Sequence, residues 1–331
     1  MHSAKGAVRE EALHIMTTGL AARSLRDQRV MVTGASGFLG SHLCRRLRTE
    51  GAGIYAISRS AREDTGDRFC WLQADLNDLS AVRRMLLEVR PDVVFHLSGI
   101  ASGVSELQLV LPTLHSLLVS TVNLLTVATE IGIARIVLLG SLQEPIPDNA
   151  DPTPSSPYAA AKWASSAYGR MFCRIYGLPV VNVRVFQTYG PGQDVRKLIP
   201  YVTLTLLRRQ RPQLSSGIWE ADWIYIDDVI SGLIAAAQVR DVPRRTIDLG
   251  SGSLISVRDI VMHLVRLTRS PVTPVFGALP DRPLEPVRVA GLAEAQRVLA
   301  WKPTVSMIEG LRRTVDAYRQ TMDDEPPAAP R

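Results

Sequence analysis

The sequence predicts an α/β protein with a parallel, doubly wound main sheet and a smaller mixed lobe toward its C-terminal end. Two observations carry this. From Arg29 to about residue 190, short apolar runs alternate with amphipathic stretches, and strands separated by helices pair in parallel through right-handed crossovers. Beyond residue 190 the alternation becomes less regular and richer in proline.

RVMVTG (29–34) is the first strand, followed by glycine punctuation and the helix LGSHLCRRLRTEG (39–51). GIYAISR (53–59) is the second strand, and DRFCWLQADL (67–76) ends a third. LSAVRRMLLEV (79–89) is a helix that runs into Pro91, and PDVVFHLSG (91–99) supplies the next strand. A long apolar-rich helix around 111–131 leads to the strand ARIVLLGS (134–141). A proline-rich loop, 144–157, precedes a helix beginning near Tyr158, and LPVVNVRVF (178–186) is a further strand. In the last third, TLTLLRRQ (203–210), VRDIVMHLVRLT (257–268), LAEAQRVLAW (292–301) and SMIEGLRRTVDAYRQ (306–320) read as helices. DWIYI (222–226) and RTIDLG (245–250) read as strands.

Composition narrows the class. Apolar residues make up 46% and charged residues 21% of 331, ordinary for a globular enzyme and unlike a disordered chain. The formal charge of +6 could attract anions, but the arginines are scattered. No zinc-finger spacing, basic zipper or aromatic-rich RNA-binding signature is present, so nucleic acid is not an expected partner. Cys44, Cys70 and Cys173 are odd in number and far apart, which suits reduced thiols in a cytoplasm. No secretory signal and no apolar run of membrane-spanning length are read, so a cytoplasmic protein without a membrane partner is expected. The six histidines show no zinc spacing, and no metal is expected. Asp227 or Asp228 is expected to cap the helix that follows.

The sharpest local signal is Val32-Thr33-Gly34-Ala35-Ser36-Gly37-Phe38-Leu39-Gly40, set between a strand and a helix. Glycines there allow a tight turn, close backbone approach to a pyrophosphate and close helix packing, while the helix N-terminus offers free N–H groups. A dinucleotide is the expected ligand, held by Gly34, Ser36, Gly37, Phe38, Leu39 and Gly40. The second strand ends in Ser58-Arg59-Ser60, with Arg62 following, where a carboxylate would hydrogen-bond an adenosine ribose. Guanidinium groups suit a 2′-phosphate, so NADP is expected, with NAD as the alternative. Tyr158 and Lys162 stand at i, i+4 on one helix face. A nearby ammonium is expected to lower the tyrosine pKa from about 10.

The G-x-x-G-x-x-G spacing resembles the extended short-chain dehydrogenases/reductases, the NAD-dependent epimerase/dehydratase group that acts mainly on nucleotide sugars. The resemblance covers about residues 29–320. It includes Asp75-Leu76, His96-Leu97-Ser98-Gly99, the Ser141/Tyr158/Lys162 set, RVFQTYGPGQ (184–193), DWIYIDDV (222–229) and LAWKP (299–303). It implies a Rossmann-type domain at 29–190 after an N-terminal extension (1–28). A mainly substrate-binding lobe follows at 191–320, between which and the first domain the chain can cross, and then a disordered tail (321–331). It also implies that Asp75 and Leu76 lie near the adenine, and Leu97, Ser98 and Gly99 near the nicotinamide ribose and phosphates. Lys162 would hold the ribose, and Ser141 would share a proton with Tyr158. His96 itself is expected to be packed and hydrogen-bonded. GSLQEP (140–145) can pair its serine with the family's catalytic hydroxyl, as adopted here, or with the serine one place earlier, which would put Leu142 at the hydroxyl position.

Departures from the family pattern narrow the reaction. Its dehydratases follow the hydroxyl residue with an Asp-Glu pair, and its decarboxylases usually keep the Glu. Leu142 and Gln143 occupy those positions, which disfavours both eliminations. Gln187 stands where Asn is frequent, Ala221 where an Arg often meets a diphosphate, and Leu117 where Asn often positions the catalytic groups. Arg282 with Arg196 or Lys197 could supply the missing charge. The substrate residues expected are therefore Gln143, Gln187, Arg196 and Arg282. The reading is NADP(H)-dependent reduction of a 4-keto nucleotide sugar with Tyr158 as proton donor. The alternative is a nucleotide-sugar 4-epimerase with tightly bound NAD, and a non-catalytic dinucleotide sensor is a third. Wide apolar faces on the helices at 111–131 and 158–176, which pair across a two-fold axis in relatives, imply a homodimer.

Overall fold

A computed structural model describes residues 23–64, 66–145, 151–241, 245–282 and 285–324. Among these, strands β1 (Arg29–Thr33), β2 (Gly53–Ser58), β3 (Phe69–Gln73), β4 (Val93–His96), β5 (Ile136–Ser141), β6 (Val180–Val185) and β9 (Ile247–Leu249) form one sheet in the order β3-β2-β1-β4-β5-β6-β9. Every pairing in it is parallel. β7 (Gln187–Tyr189), β8 (Glu220–Tyr225) and β10 (Leu254–Ser256) form a small mixed sheet.

The strands are apolar on both faces because both are covered. Val30, Val32, Phe95, Val137 and Val183 point into one core, with Leu43 and Leu47 of α1 (Phe38–Thr49) and Val229 and Leu233 of α6 (Ile226–Gln238). Met31, Val94, Ile136, Leu138 and Val180 point into the other. There they meet Val82 and Leu86 of α2 (Leu79–Val89), Leu124 and Leu125 of α3 (Leu107–Ile131), and Phe172 of α4 (Pro157–Ile175). Asp78 caps α2 by accepting from Ser80 and Ala81 N–H, and Ser156 caps α4 by accepting from Ala159 N–H ahead of Pro157.

The chain runs outward from β1 through β2 to β3, then returns to β4 and runs the other way through β5 to β6. That reversal makes the carboxyl ends of β1 and β4 a topological switch point, where open α/β sheets bind ligands in a crevice. The smaller lobe contributes α5 (Leu198–Leu207), α7 (Val257–Thr268), α8 (Leu292–Leu299) and α9 (Met307–Asp324). β9 comes from this part of the chain yet closes the edge of the large sheet.

Some expectations need correction. The last part of the extension read at 1–28 packs on the fold: Leu25 is fully buried and Arg23 N–H donates to Gln238 O at 3.1 Å. Residues 1–22 lie outside the described residues. The tail does not begin at 321, because α9 continues to Asp324, and the remainder of it also lies outside them. The helix read at 111–131 starts earlier and is composite, with a 3₁₀ turn at Leu107–Leu109 and a π segment at Leu114–Val119 around Pro112. One apolar run does reach membrane-spanning length: Leu107–Ile131, at a mean hydropathy of 1.5. Its apolarity has a local cause, since its second half buries Leu124, Leu125, Val127 and Ala128 against α2 and the sheet.

Candidate active site

The crevice is floored by the turn after β1. Gly34 adopts φ +68, and a Cβ there would sit 2.9 Å from the Ser98 backbone; a Cβ on Gly40 would sit 2.1 Å from Gly34 O. Glycine is thus required by contact at both places, and at Gly34 by conformation as well. Gly37 precedes α1 without any side-chain cap, leaving first-turn N–H groups around Phe38 and Leu39 for an anion. Ser98 Oγ is buried with no partner beside this turn. Cradle, uncapped helix and orphaned hydroxyl fit a dinucleotide pyrophosphate and ribose.

A directed hydrogen-bond chain supports the cradle. Thr33 Oγ1 accepts from Leu97 and Ser98 N–H, so its own proton goes to His96 Nδ1 at 2.9 Å. His96 then carries its proton on Nε2 and donates to Thr121 Oγ1 at 3.0 Å, and that hydroxyl donates to Leu117 O. Burial, and secondarily Lys162, push the His96 pKa down to about 3, so the ring is neutral and packed as expected.

Ser141 ends β5, and α4 carries Tyr158 and Lys162 alongside it. The Ser141 side chain lies close enough to the Tyr158 hydroxyl to favour its ionisation. Lys162 is buried, with Nζ donating to Leu139 O at 2.7 Å. The structure therefore brings the three together, and it is Ser141 rather than Leu142 that meets the tyrosine. Leu142 is buried, with its N–H on Val185 O. One electrostatic expectation is reversed: burial raises the Tyr158 pKa, helped by the Glu144 charge, although the Ser141 side chain opposes it. Burial lowers Lys162 to about 8. Desolvation is the leading cause of both shifts, and a lowered tyrosine does not result.

At the adenosine end, Asp75 is exposed and turns its carboxylate to Asn77 N–H, beside buried Leu76. Arg62 stacks over the Trp71 ring at 5.1 Å, with its Nε 3.4 Å from Ser58 Oγ, whereas Arg59 extends into solvent. On the substrate side, Gln143 Oε1 is buried without a partner, and its amide lies over Gly103. Gln187 is half-buried in β7. Arg196 does not enter the site: it is bound to Asp194 through two nitrogens with its side chain 86% exposed. Lys197 is the better placed of the two, donating to Ala101 O at 3.1 Å, and burial together with the Arg282 charge holds its pKa down. Arg282 is exposed and pairs with Glu285. At Leu117, Gly99 makes room, since a Cβ on it would lie 2.0 Å from Leu117 Cδ2.

The acidic residues after β8 are structural. Asp222 accepts from the N–H groups of Ser251, Gly252 and Ala290, tying two loops together. Asp228 does not cap its own helix but reaches across to Thr304 and Val305, and Asp227 faces Arg313. Among the described residues no group of three or more His, Cys, Asp or Glu could hold a metal ion. Sequence reasoning gave no role to Glu144, the Glu of the Gly-Ser-x-x-Glu segment, which lies beneath Ser141 with its carboxylate 2.8 Å from the Ser141 nitrogen.

The parallel sheet, glycine cradle and Ser-Tyr-Lys group define a dinucleotide-binding protein of the short-chain dehydrogenase/reductase type. A model of the NAD dependent epimerase/dehydratase family matches residues 30–250, and the chain belongs to that family. It is 28% identical over 318 residues to UDP-glucose 4-epimerase of Mycolicibacterium smegmatis, covering 88% of this chain and 98% of that one. It is 27% identical to dTDP-glucose 4,6-dehydratase of Neisseria meningitidis, covering 88% and 93%. Among solved structures, Thermus thermophilus UDP-glucose 4-epimerase in complex with NAD superposes with a TM-score of 0.78 at 26% identity, covering 88% and 99%.

Proposed function

We propose that this chain is a nucleotide-sugar 4-epimerase that holds NAD in the Gly34–Gly40 cradle. The observation that carries the reading is the Ser141–Tyr158–Lys162 group followed, at the two positions after Ser141, by a buried hydrocarbon (Leu142) and an amide (Gln143) in place of an acid–base pair. Relatives divide between epimerases and dehydratases, and these two side chains favour the former. That a solved relative holds NAD supports the epimerase reading over NADP-linked reduction.

Bound NAD would supply a reversible acceptor for the hydride of the sugar C4–H. Tyr158 takes the proton of the 4-hydroxyl and returns it, and Ser141 hydrogen-bonds the same oxygen and steadies its charge. Lys162 stabilises the phenolate and holds the ribose. Lys197 and Arg282 serve the diphosphate, while Gln143 and Gln187 contact the sugar. The lobe beyond residue 190 binds the nucleotide end. Exposed Leu107, Leu111, Tyr168 and Ile175 on α3 and α4 are the pairing face of a homodimer.

One observation favours a second reading, 4-ketosugar reduction with NADP(H): β2 ends at Ser58 with Arg59 next in place of a carboxylate, and exposed Arg59 is free to meet a 2′-phosphate. Cofactor content separates the two. Protein purified without added cofactor and then denatured releases NAD if it is the epimerase. An empty site that binds NADPH at least tenfold tighter than NAD establishes the reductase.

A further inference from the structure

Glu144 is 1% exposed, and isolated carboxylates are costly to bury. Its Oε1 accepts from Ser141 N–H at 2.8 Å and from Ser166 Oγ of α4 at 2.9 Å, while its Oε2 lies 3.9 Å from Arg184 of β6. Arg184 in turn donates to Asp248 of β9 at 2.9 Å, and Asp248 accepts Gly291 N–H from the smaller lobe. Space is reserved for the carboxylate: a Cβ on Gly140 would sit 2.5 Å from Oε1 and 3.2 Å from Ser166 Oγ. The turn also closes on itself, with Glu144 N–H on Ser141 O and Gln143 N–H on Ser141 Oγ. Because Ser141 Oγ accepts there, its own proton is left to donate toward Tyr158 and the substrate oxygen.

We propose that Glu144 is a positioning residue of the reaction: it clamps the Ser141 turn to α4 and sets a negative charge beneath the Tyr158–Lys162 pair. The inference rests on the reading that Ser141, Tyr158 and Lys162 carry the chemistry. Ser141 cannot swing away from Tyr158 without breaking the contact between its N–H and a carboxylate that also holds α4. The charged groups around the pair are Glu144 itself, Lys162 from α4 and Arg184 from β6. Asp248 from β9 acts through Arg184, and His96 from β4 is neutral. The Glu144 charge favours the protonated forms of both Tyr158 and Lys162. Removing it therefore eases ionisation of the tyrosine.

The test is a titration of Tyr158 by its phenolate absorbance, taken as the difference between each protein and the same protein carrying Tyr158→Phe. It needs no substrate, so it stays readable even where the sugar assignment fails. Glu144→Gln keeps an acceptor oxygen for Ser141 and Ser166 but loses the charge. Its Tyr158 limb is expected about one pH unit lower, with kcat down about tenfold and KM changed less than about threefold. A second variant, Arg184→Gln, leaves the carboxylate and strips its counter-charge, so its limb moves upward; it answers the question if the first variant does not fold. A limb within about 0.3 unit of the parent in the folded variants overturns the proposal, leaving a carboxylate that only packs.

Discussion

Replacing Gly40 with alanine tests the cradle by sterics alone. The added Cβ would lie 2.1 Å from Gly34 O and 2.7 Å from the Ala35 Cα, more than about 1 Å inside ordinary contact. Both obstacles are backbone, so no side chain can swing aside; α1 must lift from the turn whose N–H groups face the pyrophosphate. Overpacking of this kind costs about 1–3 kcal/mol. If that cost falls on the binding-competent geometry, affinity for NAD drops about 5- to 150-fold. Gly37→Ala is the control: its Cβ would meet Gly34 O at 3.2 Å, which a shift of a few tenths of an ångström relieves, so its loss stays below about threefold. Isothermal titration with NAD on both variants, with melting curves to verify folding, gives the comparison. Parent-like binding by Gly40→Ala, or equal losses in both, would refute the steric argument.

Tyr158→Phe removes the proton carrier without touching the cradle; kcat should fall about 10²- to 10⁴-fold while the NAD dissociation constant, by titration, stays within about threefold. His96 gives a pH signature. Its folded pKa, about 3, lies below the reference 6.5, so only the unfolded chain takes up the proton in between, and stability present above pH 6.5 is lost as pH falls toward 3. The slope is about 1.4 kcal/mol per pH unit, read from denaturant unfolding at successive pH values; His96→Gln should flatten it. Leu111→Glu on the exposed face of α3 should halve the mass seen by sedimentation, since a charge cannot be buried there unpaired. A parent that already sediments as a monomer counts against the pairing face.

Most of the fold was legible because the chain alternates cleanly between periods, and strands such as VVFH (93–96) are apolar on both faces. The Gly34–Gly40 turn and the i, i+4 spacing of Tyr158 and Lys162 were legible for the same local reason. What escaped depends on tertiary contact. Nothing in GSLQEP says that Glu144 folds back beneath Ser141, because Gly140 and Ser166 make the room for it from two separate elements. Arg196 and Lys197 are adjacent in sequence, and only the Asp194 ion pair shows which is withdrawn from the cleft. The Tyr158 shift was misjudged because pairing with Lys162 was weighed without the burial that acts on both. The apolarity of 107–131 was read as ordinary helix, and its 3₁₀ and π turns left no signature beyond Pro112.

The central claim, reversible hydride transfer at C4 with Tyr158 as proton carrier, is tested most directly by product analysis. The protein with NAD is incubated with UDP-glucose, UDP-glucuronic acid and dTDP-glucose in turn, and each mixture is followed by proton NMR. The account predicts that at least one nucleotide sugar reaches an equilibrium of C4 epimers without net cofactor reduction, and that Tyr158→Phe abolishes the conversion. Loss of the C6 hydroxyl, or stoichiometric oxidation of NADPH by a 4-ketosugar with no epimer formed, would contradict it.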